Sequence, residues 1–232
     1  MLALDRVTVE FGGLRALDAL DLAVGPGEVV GLIGPNGSGK TTVLNAIGGL
    51  LPLSGGEIRW REARIDGQPP HRIARLGIAR ALQHPRPYLR MTVAENLRAA
   101  WSGGHGDWRE PVEKTLALLE LEGQRDVPAA DLGLNDRRRL NLGQAIVRPP
   151  ELLLLDEPAG GLAAEEIAAM TELLASRVLP GRAAIVVDHD VEMLSRLCTR
   201  FVALDAGRKI AKGTPAEVLA APAVRRSLFG DA

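Results

Sequence analysis

Residues 34–41 read GPNGSGKT, a complete match to the pattern G-x-x-x-x-G-K-[ST], between the apolar run VVGLI and the segment TVLNAI. Few strings of this length restrict a fold as much. The pattern binds phosphate only where a buried strand feeds a glycine-rich loop and the loop opens a helix, so all three elements are dictated at once. Residues 29–33 suit the strand, being short, apolar and unalternating as expected when both faces are buried. A helix over residues 40–50 follows.

In such a loop Gly34, Gly37 and Gly39 let backbone N–H groups curl around phosphate oxygens, and Pro35, Asn36 and Ser38 complete the turn. The helix aims its positive end at the same oxygens. Lys40 reaches the β- and γ-phosphates, Thr41 offers a hydroxyl to Mg²⁺, and Thr42 follows in the first helical turn. ATP with Mg²⁺ is the expected ligand pair.

The remaining pattern builds a domain around this unit. Leu2, Leu4, Val7 and Val9 alternate with polar residues as in a strand, FGG at 11–13 turns the chain, and residues 14–24 form a second strand region. GEIRW and ARIDG, after SGG at 54–56, read as a hairpin, and a helix is expected near 71–77. The runs ELLLLDEP at 151–158, AAIVVDHD at 183–190 and RFVALDAG at 200–207 read as further buried strands, with helices near 163–178 and 190–197. Strands alternating with helices indicate a mostly parallel sheet, here with an antiparallel β edge at the N-terminus. Residues 88–148 differ in texture: MTVAENLRAA and PVEKTLALLELEG are helical, the second with Val112, Leu116 and Leu119 on one face. The expected organisation is one α/β domain with a phosphate-binding-loop NTPase core over 1–87 and 149–232 and a helical insertion over 88–148.

Charge and cysteine content narrow the function. With 28 basic and 29 acidic residues there is no global pull toward nucleic acid, so none is expected as a partner. A single cysteine, Cys198, excludes an internal disulfide and suits a reducing compartment. No apolar run approaches the ~20 residues needed to span a bilayer.

LLLLDEP supplies a second part of the site. A carboxylate at the end of a buried strand beside a phosphate loop is placed to hold Mg²⁺ through its water shell, which assigns Asp156 to the metal. Glu157, the next residue, can polarise an attacking water. Alone, the run could instead be a buried strand ending in a solvated acidic turn, a reading that the neighbouring phosphate loop weakens.

With these motifs in view the chain resembles the ATP-binding subunits of ABC transporters, from about residue 2 to residue 230. The resemblance implies that Gln83 in GIARALQH contacts Mg²⁺ and a membrane partner, that His189 in VVDHDVEML senses the γ-phosphate, and that Phe11 in VEFGGLRAL stacks on adenine. Singly, these read as a surface glutamine, a turn histidine and a core aromatic; their order and spacing around the stronger motifs favour the site. EFGGLRAL, GIARALQH, PRPYLRMTVAENL, LDEPAGGL, the D-H-D tripeptide and the tail GTPAEVLAAPAVRRSLFG are similar to the subfamily serving branched-chain amino acid importers and the related urea and amide systems.

One segment departs from the family. Two such domains pack head to tail, and each ATP lies between the phosphate loop of one and a signature segment of the other, commonly LSGGQ. Here Leu132, Gly133, Leu134, Asn135 and Asp136 stand in its place. Gly133 replaces a serine and removes a hydroxyl, while Asn135 replaces a glycine and adds a side chain. Asn135 or Asp136 could instead be the N-cap of a helix, and residues 137–139, a triple arginine, either supply compensating charge or form a solvated face. The resemblance therefore implies an ATPase that works with a second ABC ATPase subunit, a heterodimer being expected over a homodimer, together with transmembrane permease subunits and, indirectly, a solute-binding protein. The expected location is cytoplasmic, on the inner face of the membrane. The alternative is a nucleotide-gated regulatory subunit with poor turnover.

Overall fold

The computed structural model describes residues 1–82, 87–101 and 106–230. β1 (Leu2–Phe11) and β2 (Leu14–Val24) form an antiparallel hairpin, followed by β3 (Val29–Ile33), which is buried throughout, and α1 (Lys40–Ile47). The helix stops three residues short of the expected end because Gly48 and Gly49 follow. Gly49 adopts φ 71°, and the N–H groups of Gly49 and Leu50 close back on Ala46 O and Asn45 O, a left-handed cap that glycine takes without steric cost.

β4 (Gly55–Trp60) and β5 (Ala63–Arg64) form the expected hairpin, then come α2 (Pro70–Arg75) and β6 (Ile78–Ala81). Helices α3 (Val93–Trp101), α4 (Arg109–Leu118) and α5 (Leu134–Ile146) follow. α3 opens on reciprocal bonds: Thr92 N–H donates to Glu95 and Glu95 N–H to Thr92 Oγ1, satisfying two end groups. β7 (Leu152–Asp156), α6 (Ala164–Leu173), β8 (Ala183–Val187), α7 (Val191–Leu197) and β9 (Arg200–Asp205) continue the alternation. The chain ends in β10 (Arg208–Gly213), α8 (Pro215–Ala220) and α9 (Pro222–Phe229).

These strands make two sheets. The larger has the order β10-β9-β3-β8-β7-β6, parallel except for β10, and the smaller is antiparallel in the order β2-β1-β4-β5. The run of four leucines in β7 divides between two cores. Leu152 and Leu154 face the smaller sheet and α1, while Leu153 and Leu155 face α3, α5, α6 and α7, as strand pleating requires. Both faces being covered explains why β3, β7 and β8 carry no polar alternation. Parallel order also brings the carboxyl ends of β3, β7 and β8 to one rim, where a ligand crevice forms in open α/β sheets.

Candidate functional site

The phosphate-type loop leaves β3 at that rim. Gly34 has φ 147°, and a Cβ there would lie 2.1 Å from Leu204 O. Gly39, with φ 106°, would put one 2.7 Å from Ala16 O. Only glycine satisfies both the angle and the approach at these two positions. Lys40 folds back over the loop, its Nζ donating to Gly34 O and Pro35 O at 2.8 Å each. Burial pushes its ammonium pKa down while nearby Glu157 and Asp156 oppose that shift. Ser38 Oγ is buried with no partner among the described residues. Pro35, Asn36 and Gly37 complete the loop; Asn36 is exposed, as is Thr41 in the first turn of α1, and Thr42 is half-buried.

Asp156 closes β7 and is buried. Its Oδ2 accepts from Arg80 Nη2 at 2.6 Å, and Arg80 Nη1 also donates to Asn45 Oδ1 at 2.5 Å. Oδ1 of Asp156 has no partner among the described residues. A small hard cation takes one or two carboxylates and fills its shell with phosphate and water oxygens, so the unpartnered Oδ1 of Asp156, together with the hydroxyl of Thr41 that follows Lys40 in α1, suits Mg²⁺ bound with a nucleotide.

Glu157 follows in a left-handed conformation, φ 50°, its N–H donating to Val187 O at 2.8 Å. A non-glycine residue held there is uncommon and strained. Its Oε1 lies 2.9 Å from Nε2 of His189, whose ring is 56% exposed against 19% for the glutamate. The carboxylate is thus sheltered and oriented by an imidazole that faces solvent. Asp188 braces both turns: it accepts from His189 N–H at 2.7 Å, Asp190 N–H at 3.1 Å and Ala159 N–H at 3.4 Å. Burial pushes its carboxyl pKa up, with those amides pulling the other way.

The irregular segment begins α5. Gly133 is the N-cap with extended backbone, φ −66° and ψ 170°, and it supplies no side-chain cap. Asn135 and Asp136 lie inside the first helical turn, so neither is the N-cap: the chain enters helical geometry one residue earlier, at Leu134. Leu132 is buried and Leu134 is 47% exposed. The triple arginine is not a solvated face. Arg138 is buried and donates to Gly160 O at 2.6 Å, Arg139 bonds Leu119 O and Glu120, and Arg137 bonds Ala130 O. Of the three, Arg138 turns its charge onto the loop that follows Glu157, while Arg137 and Arg139 bond to the segments before α5.

Phe11 is 49% exposed at the turn end of the first hairpin, paired with Leu14. That end of β2 packs on the loop, since Ala16 O is the atom closest to Gly39. Gln83 lies outside the described residues. Two residues absent from the sequence reading, Arg80 and Asp188, enter the site, and Arg138, read there only as part of the triple arginine, joins them. Asp188 was signalled by the acidic pair around His189, while the partners of Arg80 and Arg138, 76 and 22 residues away, carried no local signal.

The description ABC transporter fits residues 17–160. Across its whole length the chain is 35% identical to 98% of the high-affinity branched-chain amino acid transport ATP-binding protein LivG of Salmonella typhimurium. It is 32% identical, with the same coverage, to the corresponding protein BraF of Pseudomonas aeruginosa. Among solved structures it superposes on a nucleotide-free ATP-binding cassette from an ABC transporter with a TM-score of 0.89 at 26% identity, covering 100% of this chain and 99% of that one. An ABC transporter cassette in its ADP conformation matches with a TM-score of 0.88 and the same identity and coverage. Loop, acidic strand and whole-chain similarity agree: this chain belongs to the ABC transporter family, as one of its ATP-binding cassettes.

Proposed function

We propose that this chain is the ATP-binding and ATP-hydrolysing subunit of an importer for branched-chain amino acids or related small solutes. The observation that carries the hydrolytic part is the pair Glu157–His189, 2.9 Å apart beyond the ends of β7 and β8. A subunit that only binds nucleotide has no use for an oriented carboxylate there. The solute class rests on the names of the full-length relatives.

The loop amides and Lys40 bind the β- and γ-phosphates, Phe11 stacks on the base, and Thr41, Asp156 and Gln83 would hold Mg²⁺. The cation would supply charge neutralisation at the phosphates. Glu157 holds the attacking water and His189 keeps the carboxylate in place. Residues 1–87 and 149–232 serve as the ATP-binding core and 88–148 as a helical unit, whose segment 132–136 completes the site of a second ATPase subunit. Because the Lys40 half carries its full loop motif and the signature half lacks its serine and both glycines, the dimer is asymmetric, with a sister subunit of different sequence.

Permease subunits hold the complex at the inner face of the membrane. A groove of about 1040 Å³ suits a permease segment; Leu50, Trp60, Leu76, Leu82 and Trp101 are among its lining residues. Leu50, Leu76 and Leu82 are exposed, and clustered exposed apolar residues mark interaction sites. The test is ATP binding and phosphate release by the chain with its sister subunit, before and after Glu157→Gln. Retained binding with lost release supports the reading, and unchanged release refutes the role of Glu157.

A further inference from the structure

Arg80 has no part in the roles given above, yet it makes the most buried ion pair of the site. Its side chain is 12% exposed and that of Asp156 is 1% exposed. Three elements meet there: β6 brings Arg80, β7 brings Asp156, and α1, the helix that begins at Lys40, brings Asn45. Nη2 sits 2.6 Å from Asp156 Oδ2 and Nη1 sits 2.5 Å from Asn45 Oδ1, while Nε has no partner among the described residues.

A lone carboxylate buried to this degree is costly, and a fixed guanidinium offsets part of that cost. A divalent cation sharing the same carboxylate would face the guanidinium's charge at short range, where a poorly solvated site screens weakly. The two cations therefore compete for Asp156. Asn45 gives the guanidinium a neutral acceptor that it keeps on letting the carboxylate go, so release needs a rotation and not an exit into solvent.

We propose that Arg80 is a resident counter-ion of Asp156, neutralising it while no cation is bound and yielding it when Mg²⁺ arrives with nucleotide, so that it sets the Mg²⁺ concentration at which nucleotide binds. The inference rests on the assignment of Asp156 to Mg²⁺. A residue that merely oriented the carboxylate would have the opposite effect when removed, since losing such support weakens metal binding.

The experiment is binding of a fluorescent ADP across a MgCl₂ titration, with chelator at the low end, in the wild-type chain, Asp156→Asn and Arg80→Gln. In the wild type, binding should tighten with Mg²⁺, and Asp156→Asn should blunt that response. Arg80→Gln should lower the half-saturating Mg²⁺ about tenfold, the low end of what outer-shell changes do to metal affinity, and should weaken ADP binding in chelator. An unchanged or raised half-saturating Mg²⁺ in Arg80→Gln overturns the proposal. A wild-type Mg²⁺ response in Asp156→Asn instead overturns the assignment of Asp156. If Arg80→Gln does not fold, the guanidinium protons of Arg80 can be followed by NMR in the wild type, assigned by their loss in Arg80→Lys. Their exchange with water should accelerate with ADP and Mg²⁺ and not with ADP in chelator; no acceleration overturns the proposal.

Discussion

Glu157 sits at φ 50°, a conformation that costs a non-glycine residue free energy, and it is kept there by Val187 O on its amide and His189 on its carboxylate. Glutamine has the same size and can take the same bonds. Glu157→Gln is therefore expected to leave ATP affinity within a few-fold and to lower turnover by roughly 10²–10⁴, the range for a positioned general base; single-turnover phosphate release measures it. Gly133 offers a second test. Its φ of −66° suits any residue, and an added Cβ meets nothing within 4 Å. Serine fits there and can cap α5, adding a few tenths of a kcal/mol of stability. Joined with Asn135→Gly it should also raise turnover at the sister's site and leave ADP binding over Lys40 unaltered. Raised thermal stability with unchanged turnover would reduce the segment to a helix cap.

Among the elements, the junction of β3 with β9 carries a pH-dependent contact. Glu28 accepts from Arg200 Nε at 2.7 Å and from Gly25 N–H at 2.8 Å. The Arg200 bond first and the Gly25 amide after it hold its pKa below the usual 4.5, against the opposing effect of partial burial. A depressed folded pKa gives stability that is present above 4.5 and lost as pH falls through the folded value. Glu28→Gln should cost about 1 kcal/mol at pH 7, with the gap closing under acid below the carboxylate range; a gap constant with pH in urea titrations would contradict this. The buried strands were legible because two-sided burial writes unbroken apolar runs. β10 was not: RKIAKG is a partly exposed edge strand with three basic residues, the charge that keeps edges from pairing with other chains. The pairs Arg80–Asp156 and Arg138–Gly160 were illegible for another reason. The loop and the acidic strand are local patterns, whereas these contacts exist only once distant segments fold together.

At the scale of the whole molecule, the proposed function gives the chain one half-site with a full phosphate-loop motif and one altered half-site. Lys40, Asp156, Glu157 and His189 lie at the rim of the parallel sheet, while Gly133, Leu134 and Asn135 stand at the start of α5 without the hydroxyl or either glycine of the usual signature. Two copies of this chain would pair each good half with a weakened one. A sister subunit with a regular signature would complete the site over Lys40, and closure around ATP would then drive the permease. The most direct measurement is the steady-state ATPase rate of the purified chain alone and after co-purification with its sister ATPase. The expected result is slow turnover alone and a rise of at least about tenfold in the pair, abolished by Glu157→Gln in this chain. Turnover by the chain alone at the ~10 s⁻¹ typical of efficient enzymes, with no gain from the sister, would contradict the asymmetric site.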